Sequence, residues 1–469
     1  MLTREMNEML TRIGPGTPCG DLMRRYWHPI YPEAKLRENP VAKIRILCED
    51  LVLFRDRSGR LGLVQERCPH RRTSLSVGVP EPDGIRCCYH GWLFDAEGKC
   101  LEQPLEPGGT NFKDKIRITA YPVQELGGLI WAFLGPKPAP LLPRWDLFIR
   151  PHGFRQIVAH QLPCNWLQCM ENRGDLGHAI YLHGRLFQYA LEREGKLTDD
   201  PKARYNAAVA AQAEVMARGV TTRYRPIHNP FGFTKGTLNS DQKEDSRSWT
   251  IGVNPILFPY LLAFGPEGGD KRIRKSYQIG VPIDDTHTWH INYFCYVVPP
   301  EIEVPTQDFV PYAEVPLKNE KGEYRLDYVL GQDMVAWTEQ GEITDRSEEH
   351  LGASDALVVA YRNLLREQIE LVQSGREPMN IFRDPAEIDS PELRIPGNES
   401  GEAPIRNTAL GSSVGYRENY HKISKGGWPY IDDDSDRFCP DRDVVLDLFG
   451  KVEELNMARA RRSAETENV

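Results

Sequence analysis

The stretch that decides the fold begins at Cys68-Pro69-His70 and ends at Cys87-Cys88-Tyr89-His90-Gly91-Trp92, with sixteen residues between the two motifs. Each motif places a histidine close behind a cysteine. Thiolates suit an iron that stays oxidised, and neutral imidazoles suit an iron that accepts the electron. Replacing two thiolates by imidazoles on one iron raises the reduction potential of a [2Fe–2S] cluster. The pattern therefore predicts an iron–sulfur site with mixed ligands.

The residues themselves leave two alternatives open. Cys87 gives the spacing Cys-x-x-His and Cys88 gives Cys-x-His, and only one of them can bind because adjacent residues of an extended loop point in opposite directions. A zinc ion also accepts two cysteines and two histidines. Zinc motifs usually pair cysteine with cysteine and histidine with histidine, whereas each of these motifs contains one of each.

The residues around the motifs have the pattern of a small antiparallel β domain. Between about residue 41 and residue 135, short runs rich in β-branched and aromatic residues alternate with Gly or Pro. We predict this domain over residues 41–145, with the Pro-rich segment 136–145 as a linker. Residues 1–40 are predicted to form a short helix and a connector. The predicted strands lie in RILCEDLVLFRD, LGLVQER, GIRCCYHGWLFD, IRITAYPVQEL and LIWAFLG.

A second group of metal-binding side chains follows in the segment QCMENRGDLGHAIYLHG, which reads as helical. His178 and His183, with a carboxylate from elsewhere, match the 2-His-1-carboxylate ligand set of non-haem Fe(II) oxygenases. Residues five apart on a regular α-helix are about 140° apart around its axis. Both imidazoles can therefore reach one ion only if the helix ends or distorts between them, and Gly184 permits this.

The carboxylate ligand has to come from a distant part of the chain. Asp333, Glu339, Glu342 and Asp345 are the candidates within GQDMVAWTEQGEITDR, and we favour Asp333. The competing interpretation is that Asp333 only caps a helix, because aspartate is a preferred N-terminal residue of helices.

These motifs resemble those of a known family. CPHRRTSLSVG followed by CCYHGWLFD is similar to the Rieske signature of aromatic-ring oxygenases, and Asn172, Asp175, His178 and His183 resemble the catalytic motif of the same enzymes. The resemblance implies that Cys68 and Cys87 hold one iron of a Rieske cluster while His70 and His90 hold the other. It implies mononuclear Fe(II) on His178, His183 and Asp333, with O2 as co-substrate.

The same resemblance implies further roles. Asp175 would bridge His178 to His90 of the next subunit in a homotrimer, with Asn172 beside it in the catalytic motif. Electrons would come from a separate NAD(P)H-dependent reductase, with or without a ferredoxin, because the sequence contains no convincing nucleotide-binding fingerprint. A Rieske electron carrier without catalysis is the alternative from a different class, and the second histidine group argues against it.

Strand runs bracketed by helices predict an α+β catalytic part over residues 146–469. The resemblance implies that it is a helix-grip (START-like) domain, with an antiparallel sheet and flanking helices. We expect a helical insertion near 185–245, centred on NAAVAAQAEVMARG, and helices toward the C-terminus, in DALVVAYRNLLREQIELVQSG and RDVVLDLFGKVEELNMARARR.

Other segments resemble the phthalate dioxygenase-like subgroup of the family. Within it, PVAKIRILCEDLVLFRDRSGR, LPCNWLQCMEN and VPIDDTHTWHI look most similar to the dehydrodivanillate O-demethylases. This implies O-demethylation of a methoxylated lignin-derived biaryl acid, with cis-dihydroxylation of a phthalate-type acid as the alternative. A cation would pair the acid group of either substrate, and the candidates are Arg223, Arg247, Arg272 and Arg274.

Composition and charge also bear on the binding partners and the location of the protein. The formal net charge of -9 argues against nucleic acid as a partner, because binding it needs basic surface. The sequence contains no run of about 18 apolar residues, so we expect no membrane span. The charged N-terminus lacks the apolar core of a secretory signal. We therefore expect a cytoplasmic protein whose ten cysteines stay reduced or bind metal.

Overall fold

The computed structural model describes residues 2–107, 111–193, 222–239, 250–251, 254–264, 274–326, 328–388 and 441–466. The first forty residues form more structure than the single helix and connector that we predicted. Side chains of Thr3 and Thr17 accept hydrogen bonds from backbone amides at the start of the first two helices, which satisfies donors that a helix leaves unpaired. The elements are α1 Arg4–Thr11, α2 Pro18–Met23, β1 Trp27–Pro32 and α3 Glu33–Glu38.

Short antiparallel strands dominate the next hundred residues. The strands are β2 Val41–Ile46, β3 Glu49–Arg55, β4 Leu61–Gln65, β5 Val79–Glu81, β6 Gly84–Arg86, β7 Leu93–Phe94, β8 Cys100–Glu102, β9 Ala120–Tyr121, β10 Val123–Leu126 and β11 Leu129–Phe133. Strands β2, β3, β4 and β9 form one sheet in that order, β5 to β8 form a second, and β1 joins β11 and β10 in a third. Buried side chains such as Val52, Phe54 and Phe94 fill the space between the first two sheets.

The rest of the chain combines helices with longer strands. The first four of these helices are α4 Asp146–Ile149, α5 Trp166–Gly174, α6 His178–Ile180 and α7 Phe187–Arg193. A π-helical turn spans Tyr181–Leu186, between α6 and α7. Later helices are α8 Val329–Thr338, α9 Ala356–Gln373, α10 Pro385–Ile388 and α11 Arg442–Thr466. The strands are β12 Gly153–Leu162, β13 Thr222–Asn229, β14 Gly232–Asn239, β15 Thr250–Ile251, β16 Ile256–Leu257, β17 Leu261–Phe264, β18 Arg274–Asp284, β19 His287–Val297 and β20 Tyr312–Glu314.

These strands form one large sheet in the part of the chain that the structure describes. Its order is β13-β14-β16-β17-β18-β19-β12-β20, with β15 paired to β14. All of the pairs are antiparallel except β12 with β20. The predicted α+β class and the antiparallel catalytic sheet are therefore confirmed.

The segment 185–245, which we predicted as a helical insertion, is helical at Phe187–Arg193 but forms strands at 222–239. Residues 222–239 form the hairpin of β13 and β14, whose eight cross-strand pairs run from Thr222↔Asn239 to Asn229↔Gly232. Their pairing within the large sheet overrides any local helical preference. The alanine-rich stretch NAAVAAQAEVMARG lies outside the described residues.

The two predicted C-terminal helices are confirmed as α9 and α11. In α9, the buried side chains include Leu357, Tyr361, Leu364 and Leu365, whereas Leu371 is only half-buried. The apolar face of α11 packs against the large sheet, where Leu448 and Phe449 join the core around Phe294. Within the described ranges, no helix combines the length and the apolar character that crossing a bilayer requires.

Candidate metal centres

Two loops of the small β region have the same backbone geometry. The carbonyl of Cys68 accepts a hydrogen bond from the amide of Arg72 at 2.9 Å, and the carbonyl of Cys87 accepts one from the amide of Gly91 at 3.0 Å. Arg72 and Gly91 both adopt positive φ, 64° and 75°. Each cysteine thus begins a tight turn of the same length, and the fold presents the two motifs as a matched pair.

Burial distinguishes the two adjacent cysteines of the second loop. Cys68 and Cys87 are 1% and 3% exposed, and their thiols lie close enough to interact, whereas Cys88 is exposed. Burial raises the pKa of Cys68 to about 12, and the neighbouring thiol of Cys87 acts in the same direction. Two adjacent buried cysteines can bind iron as thiolates, because a metal ion replaces the protons that burial otherwise keeps on the sulfur atoms.

The two histidines of the loops face each other on the outer side of the cysteines. The rings of His70 and His90 have centroids 4.5 Å apart, and the ring of Trp92 stacks on His70 at 4.7 Å. His70 is exposed and His90 is half-buried. The thiols and the imidazoles therefore form two separate pairs, as a two-iron cluster with different ligands on each iron needs.

A second donor set lies on the helices of the large domain. Among the described residues, His178, His183 and Asp333 are the one group of three whose ligand atoms all lie within 4.8 Å of one another. The loop cysteines and histidines do not converge in this way, so a single zinc ion does not fit them. Asp333 Oδ1 lies 3.2 Å from His183 Nε2 and 3.5 Å from His178 Nε2.

The helix distorts between the two histidines, as the five-residue spacing required. α5 ends at Gly174, α6 begins at His178, and a π-helical turn spans Tyr181–Leu186. Because π-helical hydrogen bonds join residues five apart, this turn brings such residues onto the same side of the helix. The rings of His178 and His183 are consequently 5.1 Å apart at an angle of 82°.

Each imidazole has a polar partner on the nitrogen that faces away from Asp333. His183 Nδ1 is 3.0 Å from Gln332 Oε1, and the amide nitrogen of Gln332 donates to the carbonyl of Leu326 at 2.8 Å. His178 Nδ1 is 3.3 Å from Asp175 Oδ2. These partners favour a proton on Nδ1 and leave Nε2 of each ring available to bind a metal.

Asp175 has further contacts that hold it in place. Its side chain accepts hydrogen bonds from the amides of Gly177 at 2.7 Å and of His178 at 3.1 Å. Burial alone would raise the pKa of Asp175, but the imidazole of His178 and these amides hold the pKa below its ordinary value. Asp175 therefore remains a carboxylate beside His178. Asn172 lies half-buried on α5, one turn before it.

Asp333 lies in the middle of α8, and the N-cap residue of that helix is Tyr328. The capping alternative is therefore wrong, because an interior residue cannot satisfy the unpaired amides of a helix end. Asp333 is 6% exposed, and its Oδ1 has no hydrogen-bond partner in the described part of the chain. A buried carboxylate oxygen between two imidazoles, with the nitrogens aimed at it, fits a divalent iron.

The other carboxylate candidates lie elsewhere. Glu339 is exposed at the end of α8, where it pairs with the hydroxyl of Tyr324. Glu342 and Asp345 are also exposed, and Asp345 accepts hydrogen bonds from Ser347. None of these three joins the two histidines.

The arginines proposed for substrate are not gathered at this site. Arg247 and Arg272 lie outside the described residues. Arg223 is exposed on β13. Arg274 lies over the ring of Phe294, 5.6 Å from its centroid, in the part of the sheet that α11 covers.

Sequence reasoning missed a buried ion-pair network behind the histidines. Glu171 accepts hydrogen bonds from Arg346 at 2.7 Å and from Arg362 at 2.6 Å, and Arg362 also pairs with Glu349. Burial alone would raise the pKa of Glu171, but the two guanidinium groups outweigh it and lower the pKa. No local pattern marks this network, because its members come from three distant segments.

Comparisons with known proteins agree with this geometry. Residues 26–122 match the family model described as Rieske [2Fe-2S] domain, and residues 320–392 match the model described as LigXa C-terminal domain like. The first match contains both cysteine–histidine loops, and the second contains Asp333 and α9.

Curated relatives match over most of their length. The chain is 40% identical over 397 residues to the 5,5'-dehydrodivanillate O-demethylase oxygenase subunit of Sphingobium sp. (strain NBRC 103272 / SYK-6), covering 82% of this chain and 85% of that protein. It is 32% identical over 408 residues to the phthalate 4,5-dioxygenase oxygenase subunit of Pseudomonas putida, covering 80% of this chain and 88% of that protein.

Solved structures share the fold. NdmA of Pseudomonas putida CBB5 with caffeine aligns with a TM-score of 0.53 at 17% identity, covering 76% of this chain and 94% of that one. The terminal oxygenase of carbazole 1,9a-dioxygenase from Novosphingobium sp. KA1 aligns with a TM-score of 0.51 at 20% identity, covering 77% and 97%.

Fold, paired loops and the histidine–aspartate cluster together define an iron-dependent oxygenase that couples a Rieske [2Fe–2S] cluster to a mononuclear iron. The chain belongs to the Rieske non-haem iron oxygenase family, as an oxygenase subunit that uses O2 and depends on a separate reductase.

Proposed function

We propose that this chain is the terminal oxygenase of a system that O-demethylates a methoxylated, lignin-derived biaryl acid such as 5,5'-dehydrodivanillate. The 40% identity to the subunit named for that reaction, over 82% of this chain, supports the choice of substrate. The single observation that carries the oxygenase chemistry is the convergence of His178, His183 and Asp333 within 4.8 Å.

We assign the ligands as follows. Cys68 and Cys87 hold one iron of the cluster, and His70 and His90 hold the other. His178, His183 and Asp333 hold the mononuclear iron. When bound, the cluster would supply single electrons and the mononuclear iron would bind and activate O2.

We assign three parts to the chain: an N-terminal helix and connector over 1–40, a Rieske domain over 41–145, and a catalytic domain over 146–469. The two parts with metal ligands have complementary tasks. The exposed imidazole edge of the small domain can exchange electrons with another protein, while the large domain holds Asp333 buried and the two histidines half-buried, which limits the access of solvent to the oxygen chemistry.

The active assembly is proposed to be a homotrimer in the cytoplasm. Asp175 is already held beside His178 by two backbone amides, and its role is to hydrogen-bond His90 of the adjacent subunit as well. A carboxylate that contacts imidazoles of both sites would orient both rings and raise their basicity. Head-to-tail contacts of this kind close into a ring.

The proposed reaction consumes one O2, two electrons and two protons for each methoxy group. One oxygen atom enters the methyl C–H bond, which gives a hemiacetal. The bond between the aryl oxygen and the former methyl carbon of the hemiacetal then breaks, which leaves a phenol and formaldehyde. The second oxygen atom of O2 leaves as water. The reductase supplies the two electrons.

The test is product analysis with purified chain, NADH and a surrogate reductase. With 5,5'-dehydrodivanillate we expect formaldehyde and the corresponding phenol in equal amounts, and an analogue without methoxy groups serves as the control substrate. A His183→Ala variant, which lacks one iron ligand, should give no product while it keeps the cluster absorbance. A dihydrodiol in place of formaldehyde would refute the demethylation.

A second candidate is cis-dihydroxylation of a phthalate-type acid, which the 32% identity to the phthalate 4,5-dioxygenase subunit supports. The same substrate panel decides between the two, because one mononuclear iron performs either reaction according to the position of the substrate.

A further inference from the structure

Lys235 is a buried lysine on β14. Its side chain is 6% exposed, and it has no hydrogen bond or close ion pair with any residue that the structure describes. Burying an unpaired ammonium is costly. Such a group requires an explanation beyond the stability of the fold.

The sheet places Lys235 on the face where the metal ligands lie. Lys235 and Phe233 share one face of β14 because side chains alternate along a strand. Opposite residues in adjacent strands lie on the same face of a sheet. The pairings that carry this face across the sheet are Phe233↔Ile256, Ile256↔Leu262, Leu262↔Gln278 and Gln278↔Asn292.

Helix α5 covers that same face. Gly280 lies two residues beyond Gln278, and the space above it is filled by the guanidinium of Arg173, 3.3 Å from where a Cβ would be. Arg173 is two residues before Asp175 on the chain. Lys235 and the carboxylates of Asp175 and Asp333 are correspondingly within electrostatic reach of one another.

Neither carboxylate is available as the permanent partner of the lysine. Asp175 binds two backbone amides and lies beside His178, while Asp333 Oδ1 lies between two imidazoles. Burial lowers the pKa of Lys235 to about 8, although both carboxylates act in the opposite direction. Lys235 therefore supplies a positive charge within electrostatic reach of Asp175 and Asp333, and no carboxylate among the described residues forms a close ion pair with it.

We propose that Lys235 binds the carboxylate of the aromatic acid and thereby selects acids over neutral aromatics. This inference rests on the proposed function, because it names the group that recognises the acid part of that substrate. Tyr224 lies across the hairpin on the same face, diagonal to Lys235, and its half-buried ring offers an aromatic wall beside the ammonium.

Arg223, which the sequence suggested for this role, lies on the opposite face of the hairpin. Arg223 pairs with Leu238, which is three residues from Lys235 on β14. Because side chains alternate along a strand, Leu238 and Arg223 lie on the face opposite to Lys235. Arg274 is six residues from Gly280 along β18, which is roughly 20 Å in an extended strand.

The test compares binding of an acid and its ester to the iron-loaded chain. The probes are 5,5'-dehydrodivanillate, its dimethyl ester and phthalate, measured by calorimetry, and the variants are Lys235→Met and Lys235→Arg. Lys235→Met should raise the Kd of the acid about 10- to 100-fold, the range for losing a charge-assisted hydrogen bond. The Kd of the ester and the iron content should not change, and Lys235→Arg should restore most of the affinity for the acid.

Arg223→Met is the matched control, since it removes a cation from the other face and should leave the Kd of the acid unchanged. Equal affinity of wild type and Lys235→Met for the acid, equal losses for acid and ester, or loss of iron would each overturn the proposal. So would a wild-type chain that binds none of the acids. If phthalate binds in a Lys235-dependent way and dehydrodivanillate does not, Lys235 keeps its role and the proposed substrate is wrong.

Discussion

His183 Nδ1 lies 3.0 Å from Oε1 of Gln332, a residue 149 positions away in the chain. Gln332 immediately precedes Asp333 on α8, so one turn of helix supplies both the carboxylate and the group that orients an imidazole. The amide nitrogen of Gln332 donates to a backbone carbonyl, which leaves its oxygen to accept from His183. The orientation of His183 thus depends on the position of α8.

Gln332→Leu should weaken iron binding without unfolding the protein. Losing the partner of a metal-binding histidine typically costs about 10- to 100-fold in metal affinity or activity. The measurement is the Kd of Fe(II) by competition with a chelator. Gln340→Leu, beyond the exposed end of the same helix, is the matched control and should bind iron like the wild type. Unchanged iron affinity in Gln332→Leu would contradict the role.

Asp175→Asn should retain both metal sites and lose about 100-fold or more of its turnover, because a neutral amide cannot stabilise the charge on the imidazoles. The asparagine oxygen can still accept from the amide of Gly177, which bonds to Oδ1, while the hydrogen bond from the amide of His178 to Oδ2 is lost. Iron analysis and the cluster spectrum are compared with the turnover number. Loss of the mononuclear iron would show instead that Asp175 is a ligand.

Cys87→Ser and Cys88→Ser form a matched pair at adjacent positions. Cys87→Ser should abolish the cluster, because this buried thiol is the one that faces Cys68. Cys88→Ser should retain it, because that thiol is exposed. The EPR signal of the reduced protein reports the cluster directly. The reverse result would mean that the second loop binds through Cys88.

Glu171→Gln should reduce the free energy of unfolding by about 3–5 kcal/mol, because it leaves Arg346 and Arg362 buried without their shared anion. Chemical denaturation measures this loss. Glu349→Gln, which removes only the more exposed partner of Arg362, should cost less. Equal losses would indicate that Glu171 has no special part in the network.

The network also predicts a pH dependence. The pKa of Glu171 is lower in the folded state than in the unfolded chain, so its stabilisation is complete above the ordinary glutamate pKa. It is lost as the pH falls through the lowered folded value. The stability difference between wild type and Glu171→Gln should therefore be constant near neutral pH and shrink in acid. A difference that grows in acid would contradict the assignment.

The sequence by itself predicted the class of the protein and the local part of both metal sites. The two cysteine–histidine motifs lie on short turns, and His178 and His183 lie within one helical segment. In each case the geometry depends on hydrogen bonds between residues a few positions apart, so the spacing predicts it. The requirement for a distorted helix between the histidines followed from the same reasoning, and the π-helical turn at Tyr181–Leu186 meets it.

Only the tertiary structure decided which cysteine of the second loop is buried and which distant residues lie near the histidines. Cys87 and Cys88 are equivalent in spacing, and only the packing of the loops buries one and exposes the other. Asp333 and Gln332 reach the histidines through the docking of α8. The β13–β14 hairpin, in a segment predicted as a helical insertion, brings Lys235 within electrostatic reach of Asp175 and Asp333. These contacts depend on strand register and helix packing between distant segments, and no local pattern of residues encodes them.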